Sequence, residues 1–371
     1  MVITLSDIDL KQGKCMLNKL WRWLKGRPQA GRQGAWVCEG EAPQWVEVEQ
    51  ENEGGGGNEG DEKNKRARLY LPELIRSHDG VALPDWQRVY DWIEQEVPAA
   101  QQAEAWLACE RGWLLHLRDA LGAGYVLMES AQTFVLSSLE QRRAVAAMAF
   151  IDRTRRRIMH TLQGVADDQG WGKDILVVCD DVDAYFSYIA AYYPDEQAEI
   201  ARSSGMYLNA GCGHFVTMDA DLSLMEPVIV HELTHSYVSH LPLPLWLNEG
   251  IAVNVEQSLA GRVPAELDAW QMLANHQAYW TAQTIQAFWS GDAFQKQATM
   301  SQAYDLAATL VKQLSQDWPV FARLALAAQW QDAGAQAVQQ CLGMSLGKYV
   351  CVLLGKAYDV HWEPASELAV A

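Results

Sequence analysis

A chain of 371 residues with 49% hydrophobic content can bury a globular core and two or three packed subdomains, and it lacks the run of about 18 apolar residues that spans a membrane. A net charge of −18 at pH 7 argues against a nucleic-acid partner, because a phosphate backbone calls for clustered cations. The seven cysteines are odd in number and form no C-x-x-C pair, which disfavours a disulfide framework or a cysteine zinc ribbon and points to reduced thiols in a cytoplasmic protein.

The charge is unevenly spread. Residues 1–35 carry seven Lys/Arg against two Asp, and residues 36–66 carry nine acids against three bases. The opening stretch places its lysines after apolar residues and has no small-residue cleavage site, so no secretory signal is expected. Within it, CMLNKLWRWLKGR (15–27) reads as a small helix whose tryptophans pack on the main domain. A membrane-surface or partner helix is the alternative, and a partner contact would fall within residues 1–50. Residues 51–66, ENEGGGGNEGDEKNKR, cannot offset their own ordering entropy and read as a flexible acidic loop or linker. Alternating runs flank it, WVEVEQ (45–50) and RARLYL (66–71). They form either one hairpin with a long tip or the ends of two domains.

From 84 to 121 the pattern is helical, with Trp86, Val89, Tyr90 and Ile93 at three- and four-residue spacing. YVLMESAQTFVLSS (125–138) reads as two strands. Ser138 with Gln141 offers a capping box for a helix over about 139–163, whose RTRRR run (153–157) reads as a solvated face. DILVVCD (174–180) and GHFVTMD (213–219) are strand patterns, and residues 261–371, rich in Ala, Gln and Leu, read as mostly helical.

The chemistry concentrates in VIVHELTHSYVSHLPLPLWLNEG (228–250). His231 and His235 lie four apart, so a helix sets both imidazoles on one face, one turn apart, where they can share one metal ion. Glu232 sits about 100° around the helix. From there it can reach the outer side of a water on the metal, the position of a general base. Pro242 and Pro244 end this helix, and a second follows as NEGIAVNVEQ. It brings Glu249 as the third ligand, with Glu256 and Glu226 as rivals. Two imidazoles and one carboxylate leave one open position, as catalytic zinc requires. His240 falls off the metal-facing side, and Tyr237 reads as packing.

H-E-L-T-H followed by L-W-L-N-E-G-I-A resembles the gluzincin metallopeptidases, the thermolysin-like clan. The spacing is shorter than in the aminopeptidase-N branch, and no Gly-Ala-Met-Glu-Asn segment is present, so the resemblance is to the broad peptidase MA-like group. It covers about residues 125–350 and is strongest at 228–256. The resemblance implies an α+β thermolysin-like core followed by a helical C-terminal subdomain, one zinc per chain, and hydrolysis of a protein or peptide substrate. It implies an edge strand ahead of the zinc helix, the place of GHFVTMD, along which an extended peptide can pair. It also implies a tyrosine-bearing helix after the third ligand, the place of QAYDLAATLVKQL (302–314). Tyr304 is then the first candidate for oxyanion stabilisation and His214 the second. The expected division is 1–50 as an N-terminal region, 51–66 as a linker, 67–260 as the metallopeptidase subdomain and 261–371 as the helical one. A catalytically weak binding or regulatory module on the same scaffold is the competing expectation.

Overall fold

The structure, a computed structural model, describes residues 2–4, 34–49, 66–168, 171–193, 205–260 and 269–365. The tryptophan stretch 15–27 and the glycine-rich stretch 51–65 lie outside the described residues. The fold is α+β, with a mixed sheet and many helices. The chain divides into two compact units, Met1–Asp152 with Gly170–Leu222, and Arg153–Gln169 with Ser223–Ala371.

The strands all belong to the first unit. In chain order they are β1 (Val2–Thr4), β2 (Trp36–Val37), β3 (Trp45–Glu49), β4 (Arg66–Tyr70), β5 (Ile75–His78), β6 (Val81–Pro84), β7 (Val126–Glu129), β8 (Thr133–Ser137), β9 (Asp174–Cys179), β10 (Gly205–Asn209) and β11 (Gly213–Met218). Six of them form one sheet in the order β10-β11-β9-β8-β7-β2. Strand β9 runs parallel to both neighbours, and the other pairings are antiparallel. The central runs TFVLS and ILVVC are buried on both faces, which explains why they lack alternation.

The alternating runs at 45–50 and 66–71 are one hairpin. Strands β3 and β4 pair antiparallel, Trp45 opposite Tyr70 and Glu49 opposite Arg66. Residues 36–49, expected in a separate N-terminal region, are therefore built into the sheet unit: β2 adds to the large sheet and β3 to a smaller one. GHFVTMD is not an edge strand. Strand β11 lies between β9 and β10, and the edge is β10. The physical reason is a tight return. Gly211, at φ 94°, turns the chain so that Asn209 pairs with Gly213 and β10 folds back along β11.

The helical run 84–121 is two helices, α1 (Trp86–Glu96) and α2 (Gln102–Leu121), broken at Val97–Pro98. Helix α3 (Gln141–Thr161) is not opened by the expected capping box, because Ser138 turns its hydroxyl to Asp180. Helix α4 (Val182–Tyr192) is capped by Asp181, which accepts from the Ala184 amide at 2.8 Å. The interior of this unit holds paired charge. Arg111 and Lys173 both bind Glu129, Lys173 Nζ at 2.6 Å, and Glu110 accepts from Trp106 Nε1 at 2.7 Å.

The second unit is helical: α5 (Leu222–Val238), α6 (Leu245–Ala260), α7 (Ala269–Tyr279), α8 (Ile285–Ser290), α9 (Asp292–Gln295), α10 (Gln297–Leu314), α11 (Trp318–Ala327), α12 (Ala335–Leu342) and α13 (Leu346–Leu354). Its core is aromatic. Trp246 is fully buried, packs near Phe288 and Trp289, and donates from Nε1 to the Ala333 carbonyl at 2.9 Å. The units divide at 152/153, 169/170 and 222/223, rather than at the expected 260/261. Both motif helices fall in the unit of the C-terminal helices, and α6 packs along α10. Among the described residues no single helix is long and apolar enough to cross a membrane.

Candidate metal centre

Helix α5 carries His231, Glu232 and His235. Apolar residues on its other faces, among them Ile229, Val230, Leu233 and Val238, are buried and fix its rotation. Thr234 is fully buried and satisfies its hydroxyl by donating to the Val230 carbonyl at 2.7 Å. After the prolines, Leu245 opens α6, where Glu249 is buried.

The two helices bring His231, His235 and Glu249 together, with one potential ligand atom from each inside a 4.8 Å span. His231 Nε2 lies 3.2 Å from Glu249 Oε2, and His235 Nε2 lies 3.5 Å from the same oxygen. The far side of each ring is also held. Glu256 Oε2 lies 3.1 Å from His231 Nδ1, and Asn248 Oδ1 lies 3.0 Å from His235 Nδ1. An amide oxygen only accepts, so Asn248 holds a proton on His235 Nδ1 and turns Nε2 inward, the nitrogen that is left to ligate once it is deprotonated. The donor set therefore fits a zinc ion: two imidazole nitrogens and one carboxylate, each ring oriented by an outer hydrogen bond.

Glu232 and Tyr304 belong to the same group. The Glu232 carboxylate acts electrostatically on His231, His235 and Tyr304. Tyr304, on α10, is pushed well above the usual phenol range by burial and then by the Glu249 and Glu232 carboxylates, with a hydrogen bond to Glu249. It is a neutral donor at any working pH. Its ring packs edge-on against Phe294 at 5.3 Å.

The expectation for His214 is corrected. It lies in the sheet unit, 1% exposed, with Nδ1 3.0 Å from the Cys212 carbonyl and Nε2 2.9 Å from the Tyr188 hydroxyl. Burial pushes its pKa down to about 4, so the ring is neutral. Nδ1 donates to the carbonyl, Nε2 accepts from the phenol, and no nitrogen is left for an oxyanion. Glu256, a rival for the third ligand, takes the outer nitrogen of His231 instead, and Glu226 is not part of the group.

Two contributors went unread in the sequence. Asn248 precedes Glu249 directly, so its partner is visible only once α5 and α6 are paired. Gly250 is where α6 meets α10. A Cβ there would lie 2.5 Å from Val311 Cγ2 and 2.6 Å from the Ala307 carbonyl oxygen. Asn254 clamps the same contact, donating to the Gly250 and Ala308 carbonyls at 2.7 and 2.9 Å. Backbone cannot yield as a side-chain tip does, so Gly250→Ala is expected to destabilise the protein by about 1–3 kcal/mol. Denaturant melts of the two proteins measure this, and equal midpoints would refute the close packing.

The centre stores charge without a metal. Burial alone would raise Glu249, but His235 and His231 hold it well below the usual carboxylate range. Burial alone would lower His231, but Glu249 and Glu256 push it up to about 10. His235 is raised as well, with Glu249 outweighing burial. A raised histidine stabilises the metal-free fold fully below its ordinary 6.5, and that contribution is lost as pH rises through about 10. The depressed Glu249 contributes above its ordinary 4.5 and less as pH falls. Metal ligation needs neutral imidazoles, so zinc uptake is expected to release protons and to tighten from about pH 6 to about pH 8. Calorimetry in buffers of different ionisation enthalpy measures the protons, and a buffer-independent enthalpy would contradict the arrangement.

No family model matches the chain, and no curated protein does.

Proposed function

We propose that this protein is a zinc-dependent peptidase of gluzincin type, with a thermolysin-like arrangement of its motif helices. The carrying observation is the convergence of His231 Nε2, His235 Nε2 and Glu249 Oε2. His231, His235 and Glu249 would hold the ion. When bound, zinc supplies a Lewis acid that polarises the scissile carbonyl and acidifies the attacking water.

The chain's own groups do the rest. Glu256 and Asn248 keep the two rings aimed, Glu256 through a carboxylate and Asn248 through an amide oxygen. Glu232 takes the proton of the attacking water and passes it to the leaving amine. Tyr304 donates its phenolic hydrogen to the oxygen on which charge develops. A group that stays protonated through the neutral range suits that task, and Tyr304 is held protonated by burial and two carboxylates.

Elemental analysis of the purified protein, paired with proteomic cleavage profiling before and after chelation, tests the reading. Zinc near one equivalent and chelator-sensitive new peptide termini are expected. Bound zinc with no cleavage of any library would favour the binding-module reading, and absence of zinc affinity would end both. Glu256→Gln is expected to weaken zinc binding by about 10–100-fold, as outer partners of ligating histidines typically do. Competition against a chromogenic chelator reads that loss, and an unchanged constant would remove Glu256 from the centre.

A further inference from the structure

We infer that the second unit carries a separate docking groove for a short acidic peptide, on the C-terminal half of α3. The groove is open to solvent, is lined by Arg153, Arg156, Arg157, His160, Thr161 and Leu259, and offers about 420 Å³. The three arginines and His160 recur at i, i+3, i+4 and i+7, so one helix face carries them all. Arg153, Arg156, Arg157 and His160 are exposed.

Two features separate this face from an ordinary solvated one. Among the described residues no carboxylate pairs with Arg153, Arg156 or Arg157; Arg157 Nη1 instead donates to the Leu259 carbonyl at 3.0 Å. The neighbouring Arg155 does have its partner, Asp168, so among the described residues the run is divided into one paired and three unpaired guanidinium groups. The groove also sits in a chain of net charge −18, where a free cationic row is a local reversal of sign. Guanidinium forks match carboxylates in pairs.

Length and surroundings choose the ligand. From Arg153 to His160 the helix rises about 10 Å, which an extended peptide covers in about three residues. A nucleic-acid strand reaches far beyond that span and meets a chain with 36 acids against 19 bases after residue 66. Leu259 and Thr161 give the groove a partly apolar floor, which suits the methylenes of glutamate. The ligand is therefore a peptide segment with two or three neighbouring Glu or Asp residues, in the manner of other acidic-motif sites built on arginine clusters. This site does not depend on the metal centre.

Fluorescence anisotropy of the full-length protein with a fluorescein-labelled hexaglutamate peptide tests it. Saturable binding that weakens with added salt is expected, and Arg153→Glu with Arg156→Glu is expected to weaken it by about tenfold or more. The paired Lys variants should retain most of it, and circular dichroism checks the fold. If the double Glu variant does not fold, Arg156→Gln alone, at an exposed position, should still weaken binding about threefold. The proposal falls if wild-type protein does not bind the peptide, or if the Glu variants bind it equally. It also falls if a chelator abolishes binding, which assigns the peptide to the metal centre. Displacement by inorganic phosphate or duplex DNA at lower concentration than by unlabelled hexaglutamate reassigns the groove to phosphate and overturns it.

Discussion

Glu232→Gln is expected to leave zinc affinity within about threefold of the parent while cutting hydrolysis by about two to four orders of magnitude, the range a positioned general base supplies. The side chain keeps its size and most of its hydrogen bonds, so packing around α5 should not change. What it loses is the ability to accept a proton. Glu232 lies next to His231 in the chain but about 100° away around the helix, so it is not one of the three converging ligand atoms. Its negative charge is nonetheless felt by His231, His235 and Tyr304. Zinc content by elemental analysis and cleavage of a profiled substrate decide the matter together. A variant that holds zinc and cleaves as fast as the parent would dismiss Glu232 as the base. A variant that loses zinc would make it a structural member of the centre.

Glu249→Gln and His235→Ala are each expected to weaken zinc binding by more than about a hundredfold, beyond what outer-sphere partners contribute. The parent should gain roughly 2.7 kcal/mol at a zinc concentration 100 times its dissociation constant, and both variants should lose most of that gain. Their metal-free stabilities should differ from each other. Glu249→Gln removes the carboxylate that faces both Nε2 atoms and leaves two part-buried imidazoles without it. His235→Ala leaves Glu249 paired with His231. The metal-free Glu249→Gln protein should therefore melt lower below about pH 6.5, where histidines are charged in the unfolded chain. Thermal melts with zinc and with chelator separate the two effects. Parent-like stabilisation by zinc in either variant would break the three-ligand assignment.

Much of the centre was legible along the chain because its geometry is local. Four-residue spacing puts His231 and His235 one turn apart on any helix. Two prolines stop that helix, and the next brings Glu249 within reach of the pair. The strand runs ILVVC and GHFVTM were legible as well, the first as a continuous apolar stretch and the second as a short run rich in β-branched and aromatic residues between polar turns.

Position within the sheet was not legible. GHFVTM reads the same whether it has one neighbour or two, and only β10 folding back along it makes it an inner strand. His214 shows the same limit. A histidine in a strand carries no mark of its partner until Tyr188 and the Cys212 carbonyl are beside it. Glu256 reads along the chain as an inner ligand, yet it stands behind His231. It lies seven residues, two turns, beyond Glu249, which puts it on the same helix face and leaves its depth undetermined.

The sequence by itself determined which side chains share a helix face, and so the pairing of His231 with His235 and the place of Glu249 after the turn. Only the tertiary structure decided what those faces meet: Tyr304 from a helix more than fifty residues on, Gly250 against the Ala307 backbone, and Asn248 behind His235. Periodicity follows from backbone geometry within a few residues. Partnership between faces is set by packing across long stretches of chain, where one missing Cβ or one burial decides the contact.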